Sequence, residues 1–288
     1  MEGSPRLFAL LIGIAEYGNI SAAYGVKYQN LPGCIPDVKN IKANLESSWP
    51  AKDLFVKTLI NKEATKENIV KQILDYLGQA SEGDTALLYI SSHGAQEWCD
   101  QQVFSGETDG KLETIVCYYE KEWADFLLAD KELRWLIHQL SQKAPHIVVI
   151  LDCCHSEGGT RSIALHKEVP VLIQKTIPFT FPQRPWKHFV FNESISKDDF
   201  IKQGEETALP EGDHIALSAC GSNQSAGQFP DGSVFTNTLL KVLQYERNNI
   251  SYGQLISRVS QHMRAAYEQL PDLYTNKDRD RRLCLGIS

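Results

Sequence analysis

The chain has 288 residues, 42% hydrophobic and 23% charged, with a formal net charge of −7. That acidic balance argues against a nucleic-acid or anionic-membrane surface, and no apolar run approaches the roughly 20 residues that span a bilayer. Seven cysteines with no C-x-x-C pair fit a reducing compartment better than a disulfide framework, so a cytoplasmic protein is expected.

The first apolar run, RLFALLIGI (6–14), reads as a buried strand. Gly13 and Glu16 close it too early, and no small-residue cleavage site follows, so a signal peptide is not expected. Val38, Ile41 and Leu45 stripe a helix over 37–48, and LFVKTLI (54–60) is a second strand. Ile69, Ile73 and Leu77 mark a helix within 64–80. Two more strands follow, TALLYISSH (85–93) and ETIVCYY (113–119). Leu133, Leu136, Ile137 and Leu140 place a core-facing helix over 130–143. HIVVILDCC (146–154) is the next buried strand.

Residues 157–212 break the rhythm. Five prolines (170, 178, 182, 185 and 210), mixed charges and weak periodicity predict a long loop or linker. HIALSAC (214–220) then resumes the strand pattern, and helices are expected over 233–246 and 252–268. Ser251 and Gln254 have the spacing of a capping box for the second of these. RRLCLGI (281–287) reads as a final edge strand. Nearly continuous hydrophobic strands alternating with helices predict an α/β fold with a mostly parallel sheet covered on both faces. Ligands gather at the carboxyl ends of strands in such sheets. The turns after Ile14, Ser92 and Leu151 are therefore the places to search.

Two of those strand ends carry reactive groups: YISSHGAQ (89–96) and ILDCCHSE (150–157). Alternation with period two puts Ser91 with His93, and Asp152 with Cys154, each pair on one face. Cys153 then points the other way, into packing. A thiol attacks a carbonyl only as thiolate, and an adjacent imidazole promotes that state. His93 is the candidate base. His155, next to the candidate nucleophile on a strand or its turn, points elsewhere. Gly94 lets a backbone N–H approach a substrate, and that amide together with the amide of Cys154 could form an oxyanion hole. Cys34, Cys117 and Cys220 read as core residues.

With these motifs in order, the chain resembles the caspase-like cysteine peptidases, and metacaspases in particular. S-x-H-G after one buried strand and D-x-C-H-S after the next carry the resemblance. LLIGIAEY with LPGCIPDVKN (31–40), SACGSNQSA (218–226) and GSVFTNTLL (232–240) extend it across nearly the whole chain. The resemblance implies a caspase-like three-layer sandwich, with a central sheet of about six strands flanked by helices, formed by one domain over 1–288. A large-subunit-like region would cover 1–165 and a small-subunit-like region 210–288, with 157–212 between them. It also implies His93 as base and Cys154 as nucleophile, polypeptide substrates, and a monomer rather than an obligate dimer. The linker offers Arg161, Lys167, Lys175, Arg184, Lys187, Lys197 and Lys202 as sites of self-processing.

Substrate preference follows from charge. Asp152 sits two residues before the nucleophile, where animal caspases that cut after Asp carry Gln. A carboxylate there favours Arg or Lys. In the metacaspase pattern Asp37 and Ser91 join this pocket, although Asp37 also suits the N-cap of the 38–48 helix. Calcium-dependent relatives carry acids after the His strand and beyond C-H-S. The matching positions here are Tyr119 and Arg161, with only Asp130 nearby, so neither calcium dependence nor any required cofactor is expected. Glu157 and Ser222 also depart from the usual pattern, which keeps an inactive scaffold or regulatory domain as the alternative. A zinc site on Cys153, Cys154 and His155 fails because consecutive residues cannot surround one tetrahedral ion. A C-x5-R phosphatase loop fails by one residue between Cys154 and Arg161.

Overall fold

Strands that are apolar on both faces need cover on both faces, and the computed structural model supplies it. It describes residues 4–119, 126–143, 145–154, 172–221, 224, 226–264, 267 and 269–275. In chain order these form β1 (Leu7–Gly13), α1 (Ile20–Tyr24), α2 (Cys34–Ser48), β2 (Leu54–Ile60), α3 (Lys66–Asp75), β3 (Thr85–Ser91), β4 (Gly94–Trp98), β5 (Lys111–Val116), β6 (Leu127–Ala129), α4 (Asp130–Ser141) and β7 (His146–Asp152). Then come β8 (Ile173–Gln174), β9 (Thr176–Phe181), α5 (Lys197–Gln203), α6 (Glu205–Ala208), β10 (Ile215–Ser218), β11 (Gly227–Phe229), β12 (Gly232–Ser233), α7 (Val234–Tyr245), α8 (Tyr252–Arg264) and β13 (Asp272–Thr275).

The central sheet has six strands in the order β13-β10-β7-β3-β1-β2, all parallel except β13 against β10. Side chains of period two divide into two cores. Phe8, Leu10, Ile12, Leu88, Ile90, Ile147 and Val149 pack on one face with α3 and α4. Leu7, Ala9, Leu11, Leu87, Tyr89, Val148 and Ile150 pack on the other with α2, α7 and α8. The strand pattern predicts this mostly parallel sheet covered on both faces, and the three-layer caspase-like arrangement is the one the resemblance implies. The expected large and small regions share the one sheet: β1, β2, β3 and β7 come from the first, β10 and β13 from the second. Ser251 and Gln254 form their capping box at the start of α8, with reciprocal bonds of 3.2 and 3.3 Å.

Three expectations are corrected. The 113–119 run does not enter the central sheet. It falls in β5, part of a separate four-stranded sheet ordered β6-β5-β4-β9, and β13 takes the sixth place instead. The part of 157–212 that is described, from Leu172 onward, is not an irregular loop. It contains β8, β9, α5 and α6, and its aromatic residues Phe189, Phe191 and Phe200 bury with Phe104 and Leu112 in a satellite core. Arg184 lies inside this layer, its side chain fully buried, 2.6 Å from Glu97 and 3.0 Å from Glu132. Non-local contacts hold these residues, so no local period announces them. The third correction, a disulfide, belongs to the site. The 281–287 segment lies outside the described residues.

Strand ends are level where it matters. Gly13 pairs with Ser91, and Ser91 with Asp152. Gly13 is required by close approach: a Cβ there would stand 2.8 Å from both the Cys34 carbonyl oxygen and Val38 Cγ2. Its absence lets the first turns of α2 press against the carboxyl edge of the sheet, and Asp37 arrives there with them.

Candidate active site

The carboxyl edge carries a buried acidic pocket built from four elements. Ser91 ends β3, Asp152 ends β7, Asp37 comes from α2 and Ser233 from β12. All four are fully buried. Asp37 is not an N-cap, because Gly33 holds that position. Its Oδ1 accepts the Ser233 amide at 2.8 Å, and its Oδ2 accepts the Ser91 hydroxyl at 2.9 Å and the Ser233 hydroxyl as well. Asp152 Oδ2 accepts Thr236 Oγ1 at 2.5 Å, and Tyr89 OH lies 2.7 Å from the same Thr236 oxygen. Since Thr236 gives its proton to Asp152, Tyr89 donates to Thr236. Burial raises the Asp37 carboxyl above its ordinary pKa against the pull of a nearby ammonium, and the like charge of Asp152 raises it further.

That ammonium belongs to the chain itself. Lys175 Nζ lies 2.9 Å from Asp152 Oδ1, 2.7 Å from Ser91 Oγ, 2.8 Å from Ser233 Oγ and 3.7 Å from Asp37. The side chain is fully buried. Burial alone would lower the Lys175 pKa, but Asp152, Cys34 and Asp37 outweigh it and hold the ammonium charged above its ordinary value. Residues on either side of Lys175 are held as strands. Ile173 and Gln174 in β8 run antiparallel to β11, with Gln174 opposite Gly227, and the Lys175 amide donates to the Ala226 carbonyl at 2.9 Å. A Cβ at Gly227 would stand 2.5 Å from Leu172, so this glycine opens the space in which Leu172 lies. Thr176 opposes Gly94 at the start of β9.

The main chain of Lys175 meets the candidate reactive groups. Its carbonyl oxygen accepts the Gly94 amide at 2.9 Å and the Cys154 amide at 3.3 Å. These are the two donors expected to cradle an oxyanion. His93 is buried, and burial brings its imidazole down to about 4, against the raising effect of the Gln29 carbonyl and with the Lys175 ammonium lowering it further. Its Nε2 lies 2.8 Å from the Gln29 carbonyl oxygen. A carbonyl only accepts, so Nε2 carries the ring proton and Nδ1 keeps the lone pair of a base. Tyr17 fixes the backbone: its hydroxyl accepts the His93 amide at 2.7 Å and donates to the Ile14 carbonyl at 2.7 Å.

Cys153 and Cys154 divide between the two cores as alternation predicts, Cys153 on the α3/α4 face and Cys154 on the α7/α8 face. Burial pushes the Cys153 thiol up to about 12, which leaves it inert. Cys154 is joined by a disulfide to Cys220, with Cα atoms 6.7 Å apart, and its sulfur accepts the Ala226 amide at 2.6 Å. Cys220 lies in the core as expected, but the expectation that the cysteines fit a reducing compartment better than disulfides is corrected by this one pairing. The fold brings the end of β7 beside the segment after β10, where the Ala219 amide donates to the Leu151 carbonyl at 2.9 Å. In this state the Cys154 sulfur is not a nucleophile, and reduction is needed to release it.

Five of the six site residues expected from sequence, Gly94, Cys154, Asp152, Ser91 and Asp37, therefore surround one lysine, while the His93 ring packs against Tyr17 and Tyr28, with centroids 5.0 and 6.0 Å away. The remaining partners had weaker signals. Ser233 and Thr236 lie inside the GSVFTNTLL stretch but carry no reactive signature. Gln29 acts through its backbone. Lys175 was one basic residue among seven in its segment. Of the others, Arg184 is locked in buried ion pairs, Lys197 is 2.9 Å from Asp100, and Arg161 and Lys167 lie outside the described residues, as do His155, Glu157 and Ser222. No group of three or more His, Cys, Asp or Glu side chains able to hold a metal occurs among the described residues. No helix among them is long and apolar enough to cross a membrane.

Comparison with known proteins gives one family. A family model described as the caspase domain matches residues 6–281. Metacaspase-2 of Trypanosoma brucei brucei is 23% identical, over 94% of this chain and 74% of its own length. Metacaspase-6 of Arabidopsis thaliana is 30% identical over 52% of this chain and 38% of its own. Among solved structures, a protein of Geobacter sulfurreducens superposes with a TM-score of 0.68 at 20% identity, covering 98% of this chain and 99% of that one. Caspase-1 of Spodoptera frugiperda superposes with a TM-score of 0.57 at 14% identity, covering 97% and 90%.

Proposed function

The chain belongs to the caspase-domain family of cysteine peptidases, of metacaspase type, and on that premise we propose that it cleaves polypeptides after Lys or Arg through Cys154 and His93, and that it cuts its own chain after Lys175. The reduced Cys154 thiol gives its proton to His93 Nδ1, and the thiolate attacks the carbonyl carbon of the residue whose basic side chain fills the acidic pocket. The oxygen gains charge as the tetrahedral intermediate forms, and the Gly94 and Cys154 amides stabilise it. Collapse breaks the peptide bond, and His93 returns the proton to the departing amine. Water, deprotonated by the same ring, then hydrolyses the thioester.

One observation carries this reading. Lys175 presents its ammonium to Asp152 and its carbonyl to both amides at once, the pose a substrate needs and one an acidic side chain could not adopt without like-charge repulsion. The test is the fate of the full chain after reduction. The wild type should yield fragments 1–175 and 176–288, the second beginning at Thr176, while Cys154→Ala stays intact. Cutting elsewhere, or cutting in Cys154→Ala, sinks the assignment. An Asp peptide turned over ahead of Lys and Arg peptides sinks the pocket argument.

The scaffold alternative draws on a specific feature, the tie between Cys154 and Cys220. It predicts that after reduction an electrophilic Lys-peptide probe leaves Cys154 unlabelled.

A further inference from the structure

We infer that the acidic pocket selects Lys over Arg, and that Ser233 is the residue that sets this preference. The inference rests on the peptidase reading above and narrows its substrate class.

An ammonium has three N–H donors at a single point. The pocket offers three acceptors to that point: Ser91 Oγ at 2.7 Å, Ser233 Oγ at 2.8 Å and Asp152 Oδ1 at 2.9 Å. Neither hydroxyl is free to turn into a donor toward the ligand, since each gives its own proton to Asp37 Oδ2. Their lone pairs therefore face Lys175. The second oxygen of Asp152 is taken by Thr236, and Asp37 Oδ1 by the Ser233 amide. Asp37 stands behind the hydroxyls, 3.7 Å from Nζ. Donors and acceptors thus match three for three, with no open carboxylate edge.

A guanidinium does not fit that arrangement. It is planar, reaches one bond further, and spreads five donors that pair best with two oxygens side by side. Here its terminal nitrogens would meet the Ser233 hydroxyl, and several of its N–H groups would be buried without acceptors, which disfavours binding. Removing the Ser233 hydroxyl reverses both effects. Lys loses one of its three acceptors, while Arg gains the volume of one atom and access to the one lone pair of Asp37 Oδ2 that Ser233 held, the Ser91 hydroxyl keeping the other. The Ser233 amide, which holds Asp37 in place, is retained in Ser233→Ala.

The experiment compares fluorogenic Leu-Ile-Gln-Lys and Leu-Ile-Gln-Arg amides, the sequence of residues 172–175 and its Arg variant, on reduced full-length protein. The wild type should favour Lys at least tenfold in kcat/KM, about 1.4 kcal/mol. Ser233→Ala should bring the two within about threefold, by a loss for Lys and a gain for Arg. A second readout needs no change in the pocket: Lys175→Arg should process itself at least tenfold more slowly than the wild type. Arg equal to or ahead of Lys in the wild type, or Lys175→Arg processing at the wild-type rate, overturns the selectivity and leaves the peptidase reading standing. An unchanged ratio in folded Ser233→Ala removes Ser233 from the role. Neither peptide turned over and no self-cut fragment sinks the peptidase reading and this inference with it.

Discussion

Replacing Asp152 with Asn removes one charge from the pocket while keeping its shape. In the wild type the carboxylate lies 2.9 Å from a fully buried ammonium, and the nearest other carboxylate, Asp37, is at 3.7 Å behind two hydroxyls. Leaving a buried charge without its partner costs about 3–5 kcal/mol. Asp37 compensates in part, so the lower end applies, and about 3 kcal/mol corresponds to roughly a hundredfold in an equilibrium or rate ratio. The ammonium is bound equally before and during bond breaking. The loss should therefore appear in kcat/KM for a Lys peptide, chiefly through KM, with kcat changed far less. The assay is steady-state hydrolysis of the Lys amide by reduced wild type and Asp152→Asn. The same pair can be checked in the folded chain by denaturant titration of Cys154→Ala variants, which cannot cut themselves. There Asp152→Asn should destabilise, and adding Lys175→Met should recover most of the loss, because removing both partners of a buried pair is far milder than removing one. A kcat/KM within threefold of wild type, or destabilisation that simply adds in the double variant, would refute the claim that Asp152 holds the basic side chain.

Three further outcomes follow from the same geometry. Turnover should require a thiol reductant, since the Cys154 sulfur is tied to Cys220; Cys220→Ser should work without it, and equal wild-type rates with and without reductant would count against the pairing. Tyr17→Phe leaves the buried His93 amide without its acceptor and should lower stability by about 1–3 kcal/mol, read as a shift in the denaturation midpoint at unchanged slope. His93 has an ordinary pKa of 6.5 and is held at about 4 by burial, so the unfolded chain takes up the proton first. Between pH 6.5 and 4 the His93 contribution to stability should fall as pH falls, by about 3 kcal/mol in total, and His93→Gln should flatten that part of the pH profile; an unchanged slope would show that the ring is not buried neutral.

Much of the layout was written in local pattern. Leu133, Leu136, Ile137 and Leu140 predicted α4 within a few residues, and the apolar runs predicted β1, β2, β3 and β7. A period of two or 3.6 is a property of neighbouring residues, so it is legible without the fold. The same local rule placed Asp152 and Cys154 at one strand end and turned Cys153 away. Ser91 and His93 could be named because motif and strand end coincide.

What only the tertiary structure decided is where distant segments meet. Lys175 looked like six other basic residues until β8 lay down beside β11 and pushed its side chain between Asp152 and Asp37. Phe189, Phe191 and Phe200 had no period because they pack against Phe104 rather than along one helix face. Cys220 read as core, as it is, but its bond to Cys154 waited on the end of β7 coming beside it. Gln29 contributes a carbonyl, which every residue has, so no side chain could mark it. Local chemistry named the groups that can react. The three-dimensional path of the chain chose which lysine, which carbonyl and which second sulfur stand against them, because those choices depend on contacts between residues far apart in the sequence.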